Sequence, residues 1–585
     1  MTTTARFDDL RPQRRRCFRL QGLVAELRAH TPDEVPGVLA RAEAEVAAGR
    51  WVAGWVSYEA APAFDDSFTV RDVAGTPFED LPLAFFAVFE RRERAEPPSG
   101  DVVPGRWRPT IDAARHARDV ADIRERIARG ETYQVNHTFR MAADFDADPA
   151  DLYGRIAHAQ RGGFGAFIDT GRWAVVSASP ELFLDRSGDR LECRPMKGTA
   201  RRGVDAAADE AARAGLLASA KDRAENLMIV DMVRNDLARV AVPGTVAVHD
   251  LFAAERYDTV WQLTSGVGAR TRPGIGLVDV FTALFPCASI TGAPRSSTMG
   301  IIAELETTPR GVYCGAIGFG GPGPCGPRWT FNVGIRTVLV DRERGTAWYG
   351  TGGGVTHDST AAGEFAEAVL KAEVLSRAPA RFSLLETMHW SPDEGLRRWS
   401  RHRDRARASA AYFDIDWDQD RIEGALAAAV VERDRPARLR LQVDQQGVPS
   451  VEVADLPPAD AGPVRVVVDS EATPGSDPFV RHKTTQRARY EAAAARHPQA
   501  DDVVLVNERG EVTETTIANL AARFGDRWVT PPVESGCLPG TTRAELLAGG
   551  VLVEGQLWPE DLRRADELAR FNAVRGWQRV VLGGT

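Results

Sequence analysis

The sequence predicts an α+β protein of two domains, a large first one and a smaller α/β second one, and three observations carry that expectation. The chain has 585 residues, more than one hydrophobic core supports, because single cores stop growing near ~250–300 residues. β-type runs at 173–176, 182–184 and 329–340 are mixed with alanine-rich helical stretches, the clearest at 205–239. Finally, Ser376-Arg377-Ala378-Pro379-Ala380 interrupts a helix that begins near Ala361. Proline cannot continue a helix and pushes its predecessor toward extended geometry. The boundary is therefore placed near residue 379, with domains at 1–378 and 380–585.

Beyond the boundary, 382–388 reads as a fresh strand, followed by an Ala/Arg-rich helix at 398–412. A strand at 438–443 turns at Gln445-Gln446-Gly447, and 502–513 reads as strand, turn, strand. No internal repeat or low-complexity tract interrupts either part.

Composition narrows the function classes. The chain is 43% hydrophobic and 26% charged with a net charge of −9, ordinary for a soluble globular protein and unlike a nucleic-acid binder, which carries a basic excess. The one dense basic run, Arg14-Arg15-Arg16, reads as a solvated patch near the terminus. Six cysteines contain no CxxC pair, so neither a disulfide framework nor a zinc site is expected. The first residues lack an apolar signal core, and no apolar run approaches the ~18–20 residues of a membrane span. A cytoplasmic enzyme with no membrane association is the expectation.

In the first domain, Asp222 with Glu225 and Glu364 with Glu367 stand three apart on helical stretches, so each pair shares a helix face. The plain reading is two solvated faces. If the faces met, they would suit Mg²⁺, which needs one or two direct carboxylates plus water and an anionic substrate. Lys197, in Pro195-Met196-Lys197-Gly198-Thr199, is either a turn lysine or a positioned nucleophile. A free lysine is neutral in only about one copy in a thousand at pH 7, so attack requires an environment that strips its proton. Tyr349-Gly350-Thr351-Gly352-Gly353-Gly354 follows a strand and offers bare backbone N–H groups to a carboxylate.

Together these segments resemble the chorismate-utilising enzymes. The likeness rests on Tyr133-Gln134-Val135-Asn136, Ala178-Ser179-Pro180-Glu181, Pro195 to Thr199 and Glu225-Asn226-Leu227-Met228-Ile229. It continues through Ser289-Ile290-Thr291-Gly292-Ala293-Pro294, Ile335-Arg336-Thr337 and Gly353 onward to Lys371. It covers roughly 110–378 and implies large antiparallel sheets with outer helices. Lysine at 197 marks the aminodeoxychorismate synthase branch of this family, and Gln134 stands where water-using members have a lysine base. The resemblance implies that Lys197 is the nucleophile and Glu181 the general acid/base. It implies that Glu225 and Glu367 hold Mg²⁺ with Asp222 and Glu364 beside them. Gln134, Thr291, Tyr313, Arg336, Lys371 and the amides of Gly352, Gly353 and Gly354 would bind chorismate. Arg295 stands where lysine is usual in the family, which keeps the charge, and Trp261-Gln262-Leu263 replaces the histidine-containing version of anthranilate synthases. None of the six cysteines lies in a G-x-C-x-G glutaminase motif, so ammonia is expected free or from a separate glutaminase subunit.

In the second domain the informative residues are Lys483, Glu514 and Leu538-Pro539-Gly540-Thr541-Thr542-Arg543. A pyridoxal phosphate (PLP) enzyme needs a lysine, a partner for the pyridine nitrogen and a phosphate grip, and Gly540-Thr541-Thr542 opens a helix whose N-terminus suits phosphate. The set resembles the fold-type IV PLP enzymes over about 382–575, with Leu385-Glu386-Thr387-Met388 similar to their aminodeoxychorismate lyase branch. By that resemblance Lys483 carries the cofactor, Glu514 meets the pyridine nitrogen, and Arg405, Thr541 and Thr542 bind phosphate. The two halves then fit one reaction sequence, from chorismate and ammonia to 4-aminobenzoate and pyruvate. The alternatives are an aminotransferase of other specificity, or a non-catalytic docking domain, behind the same synthase.

Overall fold

The computed structural model describes residues 2–11, 14–100, 102, 105–375, 381–458, 462–475 and 477–583. The helix break expected at 376–380 lies outside them. The chain divides into two compact units, Met1–Arg201 with Arg213–Pro379, and Arg202–Ala212 with Ala380–Thr585.

In the first unit eighteen strands join one hydrogen-bonded system, antiparallel in pairing after pairing. Side-chain alternation explains its layers. In Trp51–Val56, Ala53 and Trp55 enter a central core, while Val52 and Val56 enter a second core on the other face. In Trp173–Ser179, Val175 enters the same central core, while Ala174 and Val176 enter a third. Strands buried on both faces read as continuous apolar runs, and period two sorts their side chains. Helices close the two outer cores: Leu39, Val230 and Phe281 on one side, Ile156 and Ala368 on the other. The result is helix, sheet, sheet, helix, in keeping with the large antiparallel sheets and outer helices that the resemblance implies. Trp55, fully buried and stacked on Phe85 at 4.6 Å, removes roughly 150–250 Å² from water, about 4–6 kcal/mol.

Two expected elements divide. The helix read over 205–239 is two, Ala206–Ala218 and Ala220–Ala238, because the Ser219 hydroxyl caps the second by accepting the Asp222 N–H. The strand read over 329–340 is also two, Arg328–Val333 and Thr337–Asp341, because Arg336 between them adopts φ +52°.

The second unit holds a four-stranded antiparallel sheet, in which Leu384–Ser391 lies beside Ala437–Val443. Helices Trp399–Phe413 and Gln419–Ala428 cover it through Ala410, Ile422 and Leu426, which pack with Leu439 and Leu441. Its second sheet has eight strands with mixed parallel and antiparallel pairings, and Asp502–Asn507 turns into Val512–Thr515 as expected. Among the described residues no helix is long and apolar enough to cross a membrane.

Candidate active sites

Lys197 sits at an irregularity. Its strand, Met196–Arg201, pairs with Val260–Arg270, but the register shifts between Met196 and Thr199, and such a bulge re-aims a side chain. Gly198 follows at φ +91°, where an added Cβ would lie 2.9 Å from the Asp222 Cβ; glycine is required on both counts. The lysine then reaches Gly354, where a Cβ would meet its Nζ at 2.7 Å and Gln134 Nε2 at 2.0 Å. Lys197 and Gln134 therefore share the face of one glycine. The Gln134 Oε1 is buried without a protein partner, an acceptor available to a donor on a substrate.

The glycine run lies inside a strand rather than after one. Thr346–Val355 pairs along its whole length with Gln134–Asp144, placing Gly352, Gly353 and Gly354 opposite Thr138, His137 and Asn136. On its other side the neighbouring strand reaches only to Val338 opposite Tyr349. From Gly350 on, among the described residues, one edge of bare backbone has no strand partner. Lys371 stands over it, donating to Gly352 O at 2.9 Å and pairing with Glu367 Oε1 at 2.8 Å. Arg336 donates through Nη1 to Lys371 O at 2.8 Å, and Tyr313 packs its ring against Gly350 beneath the Arg140 guanidinium. Thr291 is turned inward: it is fully buried, and its hydroxyl lies within 3.1 Å of Cys287 O.

The four acidic residues do not gather as one site. Among the described residues no group of three or more His, Cys, Asp or Glu side chains could hold a metal. Lys371 draws off Glu367, the Ser359 hydroxyl donates to Glu364 at 2.6 Å, and Asp222 packs on Gly198. What unites the rest is Lys197. Burial lowers its pKa, Glu225 opposes that fall, Lys371 adds to it, and Glu367 and Glu181 oppose it again. Burial raises Glu364, helped by the charge of Glu367. Carboxylate oxygens are the donors a hard cation such as Mg²⁺ takes, and one or two of them with water and an anionic ligand would complete its shell; Glu225 and Glu367, both felt by Lys197, are the two that would hold it.

Glu181, in the turn between two strands, is buried at 2% exposure. Burial pushes its carboxyl up to about 7, the range an acid needs to work at neutral pH. Ser289 donates its hydroxyl to Glu181 Oε1 at 2.6 Å and itself lies 3.3 Å from Cys287 Sγ. That bond favours the charged carboxylate, against burial. A hydrogen bond to a charged group contributes about 1.5–3 kcal/mol, or roughly one to two pKa units. Ser289→Ala should therefore move the Glu181 titration upward from about 7 by roughly one unit, read as the basic limb of the first unit's pH–rate profile; an unmoved limb would show that Glu181 does not set it.

In the second unit Lys483 is stapled to the first sheet: its carbonyl accepts the Leu385 N–H at 2.9 Å. Burial, then the Arg405 charge, lowers its ammonium to about 8, against the pull of Glu386. Glu514, on Val512–Thr515, is raised by burial to about 7 while Tyr490 and the Leu538 N–H hold it down. Thr541–Ala548 begins just after Gly540, and its Thr542 Oγ1 is buried without a partner. That hydroxyl and the open first-turn amides fit the phosphate of PLP. Thr541 instead spends its hydroxyl on His402 Nε2 at 3.2 Å. Arg405 reaches Pro539 O at 3.0 Å, next to the Gly540 turn, but it also grips Glu386 at 2.9 and 2.5 Å. Burial works to raise Glu386, yet Arg405 and His402 outweigh it and hold the carboxyl at about 2. A bound phosphate would share Arg405 with that carboxylate.

Residues 3–377 match the chorismate binding enzyme family, well over half of the chain. The chain belongs to the chorismate binding enzyme family. The likeness that the motifs carry from about 110 onward thus begins at the N-terminal strands. Residues 383–582 match amino-transferase class IV. Aminodeoxychorismate synthase of Streptomyces griseus is 43% identical over 294 residues, 48% of this chain and 40% of the relative. Aminodeoxychorismate synthase component 1 of Salmonella typhimurium is 38% identical over 261 residues, 45% of this chain and 56% of the relative. The chain thus spans about half the length of these relatives. Anthranilate synthase component I from Streptococcus pneumoniae superposes with a TM-score of 0.54 at 23% identity, over 62% of this chain and 92% of that one, a likeness of fold.

For a chorismate binding enzyme, then, the structure brings Lys197, Gln134, Glu181, Lys371 and the glycine strand into one neighbourhood. Sequence reasoning missed Ser289 on Glu181, and Glu386, His402 and Tyr490 in the second unit. Ser289 and Glu386 lie in motifs that drew attention for other residues. Nothing local marks their partners, which stand 108 and 16–19 positions away.

Proposed function

We propose that this chain makes 4-aminobenzoate from chorismate, aminating it at C4 in the first unit and eliminating pyruvate in the second. The observation that carries the reading is the Lys197 amine lying beside Gln134 over Gly354, with buried Glu181 acting on it. The lysine lone pair attacks ring C2, the two conjugated ring double bonds each move one bond toward C4, and the C4 oxygen leaves as water after taking the Glu181 proton. Ammonia then attacks C4, both double bonds return, the C2–nitrogen bond to Lys197 breaks, and the surplus proton on the new amine returns to Glu181. Glutamine at 134 cannot deprotonate water, which disfavours hydroxyl transfer. Lys371, Arg336 and the open glycine edge hold the substrate carboxylates, and Mg²⁺ at Glu225 and Glu367 would neutralise one of them. Chelation should stop chorismate consumption, and added Mg²⁺ should restore it, while the second step continues on supplied aminodeoxychorismate.

In the second unit Lys483, Glu514 and the Thr542 turn would hold PLP, which when bound supplies an electron sink for the charge left at C4. Lys483 takes the C4 proton, the ether C–O bond at C3 breaks, and pyruvate departs as the ring becomes aromatic. The ammonia source is a separate glutaminase subunit, in keeping with relatives named as component 1. Incubating the pure protein with chorismate, Mg²⁺, PLP and an ammonium salt tests the whole reading. 4-Aminobenzoate and pyruvate in equal amounts are expected. Chorismate consumed without either product would sink the second step, a requirement for a keto acid would make it an aminotransferase, and no consumption would sink the first.

A further inference from the structure

We infer that Tyr490 is the positioning residue for Glu514, fixing the carboxylate that meets the cofactor's ring nitrogen relative to the segment that carries Lys483. The inference rests on the reading of the second unit as a PLP site. The Glu514 carboxylate is held at both oxygens. Tyr490 Oη donates to Oε1 at 2.9 Å, while the Leu538 N–H and Asn519 Nδ2 donate to Oε2 at 3.2 and 3.4 Å. The backbone and amide donors arise from the loop and strand that follow Glu514. Tyr490 comes from the other direction in sequence, on the helix Ala488–Arg496 that follows Lys483.

That helix is itself tied to both sides of the site. The Tyr490 ring lies near two guanidinium groups, Arg487 at 4.8 Å and Arg489 at 5.3 Å from its centroid. Arg487 donates to Thr516 O at 2.7 Å, two residues beyond Glu514. Arg489 donates to Asp477 Oδ2 at 2.8 Å, and Asp477 caps the short turn Pro478–Val480 that leads into Lys483. Phenol and guanidinium stacking is favourable and directional. Two anchored cations therefore hold the ring in place, and the ring holds the carboxylate. A catalytic group must sit within a fraction of an ångström of its productive position, and a buried carboxylate with a missing donor both shifts and gains a proton. Lys483 and Glu514 would each hold the cofactor from a different segment, and Tyr490 links those two segments.

Tyr490→Phe removes only the hydroxyl and keeps the ring beside its arginines. In the holoenzyme it should weaken PLP about tenfold or more, the effect of losing one hydrogen bond to a charged group, read from titration of the apo form. The pH titration of the visible band should shift as well, which a merely structural role would not cause. Chorismate consumption by the first unit should be unchanged, which reports that the variant is folded. Asp477→Asn, which loosens Arg489 without touching Tyr490, should give a smaller change in the same direction. Equal PLP affinity and an unshifted band in Tyr490→Phe overturn the inference. A wild-type protein that takes up no PLP overturns instead the reading on which it rests.

Discussion

Replacing Lys197 by alanine should lower ammonia-dependent chorismate consumption by roughly three orders of magnitude, while 4-aminobenzoate formation from supplied aminodeoxychorismate is unchanged. The expectation follows from where the lysine stands. Its strand bulges, Gly198 removes the obstacle of a side chain, and Nζ reaches Gly354. There burial and Lys371 act to release its proton, while Glu225, Glu367 and Glu181 act to keep it. Those forces partly cancel, so the site holds a lysine that is less basic than usual without becoming inert. Without it, ammonia must displace hydroxide directly, and the separation of one hard step into two is lost. Glu181 would still supply a proton, which accounts for residual turnover. Chorismate loss in the presence of ammonium measures the effect, and the second unit serves as the folding control on the same chain. A variant that keeps more than a tenth of the wild-type rate would show that the lysine is a binding cation and not a nucleophile.

The division between what the residues announce and what only the fold reveals follows physical range. Lys197, Gln134, Glu181 and Lys483 are recognisable because their chemistry depends on residue type at a fixed place in a short motif. The strand at 173–176 is recognisable because a short continuous apolar run is a local property, whereas the layered sheets were legible only through the family resemblance. The run at 329–340 reads as one strand but is two, for a local reason: Arg336 adopts a left-handed conformation that arginine does not advertise. The glycine run illustrates the opposite bias. Glycine disfavours strands by propensity, yet 350–354 is a strand, because its ladder to Gln134–Asp144 and its close neighbours outweigh propensity. The acidic pairs share helix faces as their spacing demands, but spacing says nothing of where Lys371 and Ser359 will draw them. Ser289 and Tyr490 were invisible because their meaning lies in a partner far along the chain.

Replacing Lys483 by alanine should abolish the visible band of lysine-linked PLP and lower pyruvate release about 10⁴-fold, with aminodeoxychorismate accumulating from chorismate. On the proposed reading two separate tasks fall on this side chain, holding the cofactor and moving the C4 proton, and the second is the more demanding. At an ordinary pKa only about one lysine in a thousand is neutral at pH 7. Held at about 8 by burial and the Arg405 charge, roughly one in ten is neutral, a hundredfold gain in the form that accepts a proton. Glu386 is arranged to limit that gain, since its charge favours the ammonium form while it neutralises Arg405. The loss in Lys483→Ala is therefore a loss of chemistry and not of packing, and a small primary amine added to the variant should restore part of the proton transfer. Pyruvate release that returns with added amine, and rises with the amine's basicity, identifies the lysine as the base. No rescue, with the cofactor still bound, would assign the proton to another group in the second unit and leave Lys483 as an anchor alone.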